Sequence, residues 1–364
     1  MYKINYFDNH NNMKRILNNK YIILVPILIL NIISLIYLYN TEYFYKHLLY
    51  LGLSYLSLFI ISKINYRFIL KYIKFFYIIS IILLIIVLIF GREIKGSKAW
   101  LHIYNISIQP SEITKLVLTI YLAYLTIKKK NIFLLLIITL IPSILTFLEP
   151  DTGAILFYII IFLSILRYYK INKKILYFSL SIISIFIIAN IFIYLTNRDL
   201  LIDIYGTKLF YRLDRLIAFK NQNNIQNVNS LISIGSHNLI YIPENHNDFI
   251  FASIISKYKI LSFIIIIGCY ISIFLYYLKY SFNKKNISSI INFTILNMLL
   301  FQTFYNILMN LSLLPIIGIP LPFLSYGGTY LLTLYLLIGF SINLNIHSNN
   351  RKVQALVHKK EDVD

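Results

Sequence analysis

Cysteine is almost missing from this chain. Cys269 is the only one in 364 residues. No internal disulfide can form, and the position of Cys269 inside an apolar run marks it as a packing residue. Acidic residues are also scarce: 14 Asp and Glu stand against 34 Lys and Arg, giving a net charge of +20. Glycine and proline number 11 and 8 in a chain biased toward Ile, Asn, Lys, Tyr and Phe. Those that resist the bias therefore carry positional information. No stretch has linker composition and no internal repeat is visible, so one domain is expected. Met1 to Lys20 is polar, and the first apolar run lacks a small-residue cleavage site, so no cleavable leader is expected.

What is abundant is apolar surface. The chain is 59% hydrophobic with a mean hydropathy of +0.72, more than one soluble core can hide. Ten apolar runs read as membrane spans: 21–39, 47–62, 69–90, 112–127, 131–148, 152–167, 175–196, 249–278, 288–310 and 327–345. The run 249–278 is long for one helix and suggests a short leading helix, a break and then a span. The expected fold is an all-α integral membrane protein. It has a polar tail 1–19, a membrane domain 20–346 with one large loop 197–247, and a second tail 347–364.

The positive charge would suggest nucleic acid in a soluble protein. Here it follows membrane orientation instead. One set of short loops and termini carries 22 Lys and Arg, and the alternate loops carry 4. Both termini are then expected in the cytoplasm and the loop 197–247 outside. No nucleic-acid partner is expected.

Five places hold residues suited to chemistry. Pro243-Glu244-Asn245-His246-Asn247-Asp248-Phe249 is a polar run that ends abruptly in an apolar span. It puts two carboxylates and an imidazole where the longest loop re-enters the membrane. Gly96-Ser97-Lys98-Ala99-Trp100-Leu101 carries the only Trp, either an interfacial anchor or a stacking platform for a lipid-linked sugar. Gln109-Pro110-Ser111-Glu112-Ile113-Thr114-Lys115 opens a helix. Glu112 and Lys115 lie on one face as a structural ion pair or part of a substrate groove. Glu149-Pro150-Asp151-Thr152-Gly153 is a turn with Asp151 as helix cap, whose two acids also suit a cation or a partner. Tyr211-Arg212-Leu213-Asp214-Arg215 reads as an amphipathic helix, with Arg212 and Arg215 either solvated or clamping a pyrophosphate.

The most specific string runs from Leu314 to Thr329 and includes Gly318-Ile319-Pro320-Leu321-Pro322-Phe323 and Ser325-Tyr326-Gly327-Gly328. It holds three prolines and three glycines and cannot be a regular helix, yet it is apolar. Non-helical backbone at membrane depth must be buried in protein or line a cavity. A re-entrant loop shaping a groove is therefore expected.

These strings resemble the signature of the SEDS proteins (RodA, FtsW, SpoVE). Gln109-Pro110-Ser111-Glu112 with Lys115, Pro150-Asp151-Thr152-Gly153 and Asp248-Phe249-Ile250-Phe251-Ala252 match in order, and Gln302, Asn306 and Met309 fit the helix before the signature. The Pro-Glu-x-His-x-Asp form looks more like RodA than FtsW. The resemblance implies ten transmembrane helices and a peptidoglycan glycosyltransferase acting on lipid II. It also implies a class B penicillin-binding transpeptidase as partner, for cell elongation or division.

The family's essential acid falls on Asp248 and its loop tryptophan on Trp100. Where the family usually carries two glutamates and a glycine, this chain has Ser256, Lys257 and Lys259, and its large loop is shortened. On this reading Asp248 is the general base. Trp100, Glu112, Lys115, Arg212, Arg215, Glu244, His246, Ser325, Tyr326 and Gly327 line the substrate site, and Asp248 with Glu244 is a candidate pair for Mg²⁺ or Mn²⁺. His246 reads as a hydrogen-bonding support. A lipid-precursor flippase and a scaffold that activates the transpeptidase are the alternatives.

Overall fold

A computed structural model describes residues 6–94, 97–103, 106–169, 196, 225–236, 242–282 and 286–361. In chain order the elements are α1 (Tyr6–Leu38), α2 (Phe44–Lys63), α3 (Tyr66–Phe90), β1 (Arg92–Ile94), β2 (Ser97–Ile103) and β3 (Ile106–Ile108). They continue with α4 (Pro110–Ile127), α5 (Ile132–Leu148), α6 (Thr152–Leu166), α7 (Ile225–Ser236), α8 (Ile250–Ser281), α9 (Ile287–Asn310) and α10 (Gly328–Glu361). Nine of the ten expected spans fall on described helices. The seventh, 175–196, lies outside the described residues but for Thr196.

Among the described residues five helices are long and apolar enough to cross a membrane: α2, α3, α8, α9 and Gly328–His347 of α10. Ile22–Leu38, Ile132–Leu148 and Thr152–Leu166 are shorter apolar helices. Their outer faces carry exposed Leu, Ile and Phe, among them Leu53, Phe59, Ile82, Ile144 and Leu275. This is a multi-pass membrane protein.

Local chemistry sets the helix starts. Asn65, Asn131, Asp151 and Asn286 each accept a backbone N–H in the first turn, from Arg67, Phe133, Ala154 and Ser289. Pro110 opens α4, where its missing N–H is no loss.

Apolar contact alone gives helices little reason to associate in lipid, so buried polar groups join them. Asn292 donates to Asn345 at 2.7 Å and accepts from Ser341 at 2.8 Å, tying α9 to α10. Asn343 of α10 donates to the carbonyls of Ile61 and Ile64 at the end of α2. Asn31 of α1 donates to the hydroxyls of Tyr55 and Tyr335.

Two features differ from the sequence expectation. The loop after α3 is a small antiparallel sheet of order β1-β2-β3, in which Arg92 pairs with Trp100 and Leu101 with Ile108. The large loop contributes a helix, α7, which no motif announced. The expected break in α8 is present: Lys259 has φ 59° and ψ −155°, and divides a leading helix from the membrane span. Leu311 to Gly327 is non-helical, with Ile319, Leu321, Phe323, Leu324 and Ser325 almost wholly buried, as expected of a re-entrant segment.

Candidate functional site

The Pro/Gly-rich segment is the seam of the site. Two groups of polar side chains lie on either side of Ile317-Gly318-Ile319. Gly318 sits at φ +75°, and a Cβ there would stand 3.7 Å from Asp248 Oδ2. A Cβ on Gly153 would stand 3.9 Å from both the carbonyl of Ile317 and the side chain of Ile319, and 3.7 Å from Asp151 Oδ1.

Asp248 is held through its backbone. Its carbonyl accepts from Asn306 Nδ2 at 2.9 Å and from Asn310 Nδ2 at 3.0 Å. Asn310 Oδ1 in turn accepts from the N–H of Ala252 at 3.0 Å, and Asn306 also donates to the carbonyl of Ile319 at 2.8 Å. One turn of α9 thus clamps both the start of α8 and the seam. The Asp248 residue is only 9% exposed. Upstream, Glu244 takes a left-handed φ of 62°, which turns its carbonyl to accept the N–H groups of Asn247 and Phe249.

The polar run is sewn to the Ser325-Tyr326 corner. Ser325 Oγ donates to the carbonyl of Asn247 at 2.8 Å and accepts from Leu321 N at 2.7 Å. Tyr326 N donates to the carbonyl of His246 at 3.0 Å. The His246 ring stacks on Tyr43 with centroids 3.9 Å apart, and its Nε2 lies 3.9 Å from Glu244 Oε2. Tyr326 lies among Tyr43, Tyr50, His47 and His246. Gly327 has ordinary contacts. Gly328 is the tighter of the two, because the Tyr50 ring lies 3.0 Å from its Cβ position and would have to shift to admit a side chain.

Across the seam, Asp151 collects three donors: Gln109 Nε2 at 2.9 Å, Ser111 Oγ at 2.8 Å and Ala154 N at 3.2 Å. Glu112 and Lys115 form the expected pair, 2.6 Å apart and both buried, with the ammonium 4.0 Å above the centre of the Phe157 ring. Glu149 is fully buried, and among the described residues neither of its oxygens has a hydrogen-bond partner. Burial, reinforced by the nearby Asp151 charge, pushes its carboxyl up to about 9.

Trp100 is half-buried on β2. That strand reaches the Asp151 turn through the N–H of Lys98, which donates to the carbonyl of Glu149 at 3.2 Å.

The structure therefore gathers Glu244, His246, Asp248, Ser325, Tyr326 and Gly327 into one cluster, with Glu112 and Lys115 in a second across Ile317-Gly318-Ile319. Arg212 and Arg215 lie outside the described residues. Among the described residues no group of three His, Cys, Asp or Glu side chains is placed to hold a metal ion. Asparagine 310, which clamps Asp248, is a residue that motif reading missed. Its signal was spacing: Gln302, Asn306 and Asn310 recur every four residues along one face of an apolar helix.

Broken apolar backbone between a buried acid and a buried charged pair, within a bundle of apolar helices, defines the class: a polytopic membrane protein with a polar cluster inside it. Its relatives make the class specific. Residues 13–352 match the family FtsW/RodA/SpoVE, described as "Cell cycle protein". The chain belongs to this family, the SEDS proteins.

A probable peptidoglycan glycosyltransferase FtsW of Wigglesworthia glossinidia brevipalpis is 32% identical over 351 residues, covering 87% of this chain and 88% of that one. Peptidoglycan glycosyltransferase MrdB of Escherichia coli is 26% identical over 309 residues, covering 78% and 80%. Among solved structures, a chain of a peptidoglycan synthase complex matches with a TM-score of 0.74 at 19% identity, over 88% of this chain and 96% of that one. The rod shape determining protein RodA of Thermus thermophilus matches with a TM-score of 0.66 at 20% identity, over 88% and 95%. FtsW-named and RodA-like relatives both match, so the RodA-like form of residues 243–248 does not by itself assign the branch.

Proposed function

We propose that this protein is a peptidoglycan glycosyltransferase of the bacterial cytoplasmic membrane that polymerises lipid II, with Asp248 as general base. The observation that carries the reading is the clamp. Asn306 and Asn310 fix the backbone of Asp248, and Gly318 leaves the space beside its carboxylate open.

The sugar hydroxyl of one chain attacks the anomeric carbon of another. The carbon–oxygen bond to polyprenyl pyrophosphate breaks, and Asp248 takes the hydroxyl proton as the new bond forms. Both reactants are lipid-anchored, so the membrane surface supplies much of the proximity. With both termini cytoplasmic, the charge pattern puts Asp248 at the outer face, where the saccharide would be.

The leaving pyrophosphate needs positive charge. Lys115 is already paired with Glu112, which leaves Arg212, Arg215 or a divalent cation. Mg²⁺ is commonly held by one or two carboxylates, with water and substrate phosphate completing its shell. Asp248 and Glu244 are the two carboxylates that would supply such a shell. Trp100 and the aromatic corner around Tyr326 offer stacking surface for sugar and lipid.

The partner proposed is a class B penicillin-binding transpeptidase. The RodA-like string supports an elongation role and the FtsW-named relatives a division role. Complementation of strains depleted of one or the other protein separates the two.

The direct test is purified protein with its transpeptidase and lipid II, with and without Mg²⁺ or Mn²⁺, read as glycan chains on a gel. Chain growth supports the polymerase. Movement of fluorescent lipid II across the bilayer without chain growth would instead make it a flippase. Cell growth that survives Asp248→Ala would make it a scaffold.

A further inference from the structure

Glu149 is a buried acid that the proposed mechanism does not use. It lies one residue beyond α5, on the turn that joins α5 to α6. Its N–H donates to the carbonyl of Leu145 at 3.1 Å, and its carbonyl accepts from Lys98 of β2 at 3.2 Å. Backbone therefore fixes it on two sides, and its carboxyl has no exposure at all.

Among the described residues the ionisable groups around it offer no compensation. Asp151 on the same turn already accepts from Gln109, Ser111 and the N–H of Ala154 and offers Glu149 no donor. Tyr158 of α6 faces both acids. On α4, the cation of Lys115 is spent on Glu112 at 2.6 Å. Lys98 of β2 is joined to Glu149 only through its backbone N–H among the hydrogen bonds and ion pairs described. An ionised Glu149 would be an anion shut off from water and without a hydrogen-bond donor, two residues from the Asp151 carboxylate.

We infer that Glu149 is a positioning residue that works as the neutral acid. Uncharged, it lets the turn keep both acids and hold β2, with Trp100, through the Lys98 bond; ionised, it repels Asp151 and loosens that turn. The effect on catalysis rests on the polymerase reading above, but the effect on stability does not.

The direction of the pH effect follows from linkage. The folded-state carboxyl titrates well above its unfolded value, so the folded state holds an extra proton between about 4.5 and about 9. Stability falls as pH rises through that window and is level on either side of it.

Glu149→Gln has the shape of the neutral acid and cannot ionise. Wild type and E149Q are compared by thermal melting in detergent from about pH 4 to about pH 10, and by lipid II polymerisation above pH 6. E149Q is expected to match wild type at the acid end, to melt several degrees higher at about pH 8, and to show a flatter profile. Wild-type KM for lipid II should rise as pH passes about 9 while that of E149Q stays level. Glu149→Met, also neutral and of similar length, should reproduce the flat melting profile.

Identical pH profiles for wild type and E149Q would overturn the inference, as would E149Q melting below wild type at about pH 8. If no variant made polymer yet the melting difference appeared, the polymerase reading would fail and the role of Glu149 in stability would stand.

Discussion

Asp248 and Gly318 face each other with no side chain between them: the carboxylate oxygen is 3.7 Å from where a Cβ on Gly318 would begin. The acid and the signature glycine are seventy residues apart in the chain. They meet because α9 clamps both loops. Gly318→Ala should cost about 1–2 kcal/mol for its left-handed backbone. It should also lower polymerisation about tenfold, because the methyl group fills the space beside the base where the attacking hydroxyl would stand, crowding out the hydroxyl. Thermal melting and initial rates on one preparation separate the two effects. A rate that falls only in step with folded protein would argue against the crowding.

Asn310→Ala removes one of two donors to the Asp248 carbonyl and the acceptor for the Ala252 N–H. Loss of these buried bonds should cost about 1–3 kcal/mol of stability. Turnover should fall with little change in KM, because the residue positions the acid and does not touch lipid. Asn306→Ala should behave alike, and the two changes should be non-additive because they share one acceptor. A double-mutant cycle checks this.

Lys115→Met strips the cation from Glu112 and leaves a carboxylate buried without its partner. The expected loss is about 3–5 kcal/mol. Adding Glu112→Gln should recover most of that stability. Melting curves of the two single variants and the double variant test it. An unrecovered double variant would show that the pair's neighbours need its charges.

Lys259 occupies a backbone region, φ 59° and ψ −155°, that glycine alone enters without strain. Its side chain is exposed, so it contributes little packing. Lys259→Gly should raise stability by about 1–3 kcal/mol. The bond from Ser262 Oγ to the carbonyl of residue 259 is independent of the side chain and should persist. A lower melting temperature would contradict the reading of strain.

Much of this was legible in the chain because membranes leave few choices. Apolar runs outlined nine of the helices now described. Pro110, Glu112 and Lys115 announced a helix start with an i, i+3 pair. Three prolines and three glycines between Leu314 and Thr329 announced the broken segment.

Other features were hidden for physical reasons. Residues 92–94, 97–103 and 106–108 form strands whose pairing depends on a partner strand rather than on local propensity. Asparagine is so common here that Asn310 did not stand out until its amide was seen on the Asp248 carbonyl. Glu149 looked like an ordinary turn residue, because isolation from water is a property of the packed structure and not of its sequence neighbours.

The claim on which the account turns is that the Asp248 carboxylate removes a proton. Asp248→Asn keeps the size of the side chain and leaves the backbone bonds to Asn306 and Asn310 in place, so the site should stay formed. Chain growth on lipid II by purified D248N with its transpeptidase, at wild-type melting temperature, is the measurement. The account predicts a rate lower by about 10²–10⁴-fold, the usual contribution of a positioned general base. Undiminished polymer from a folded D248N protein would contradict it.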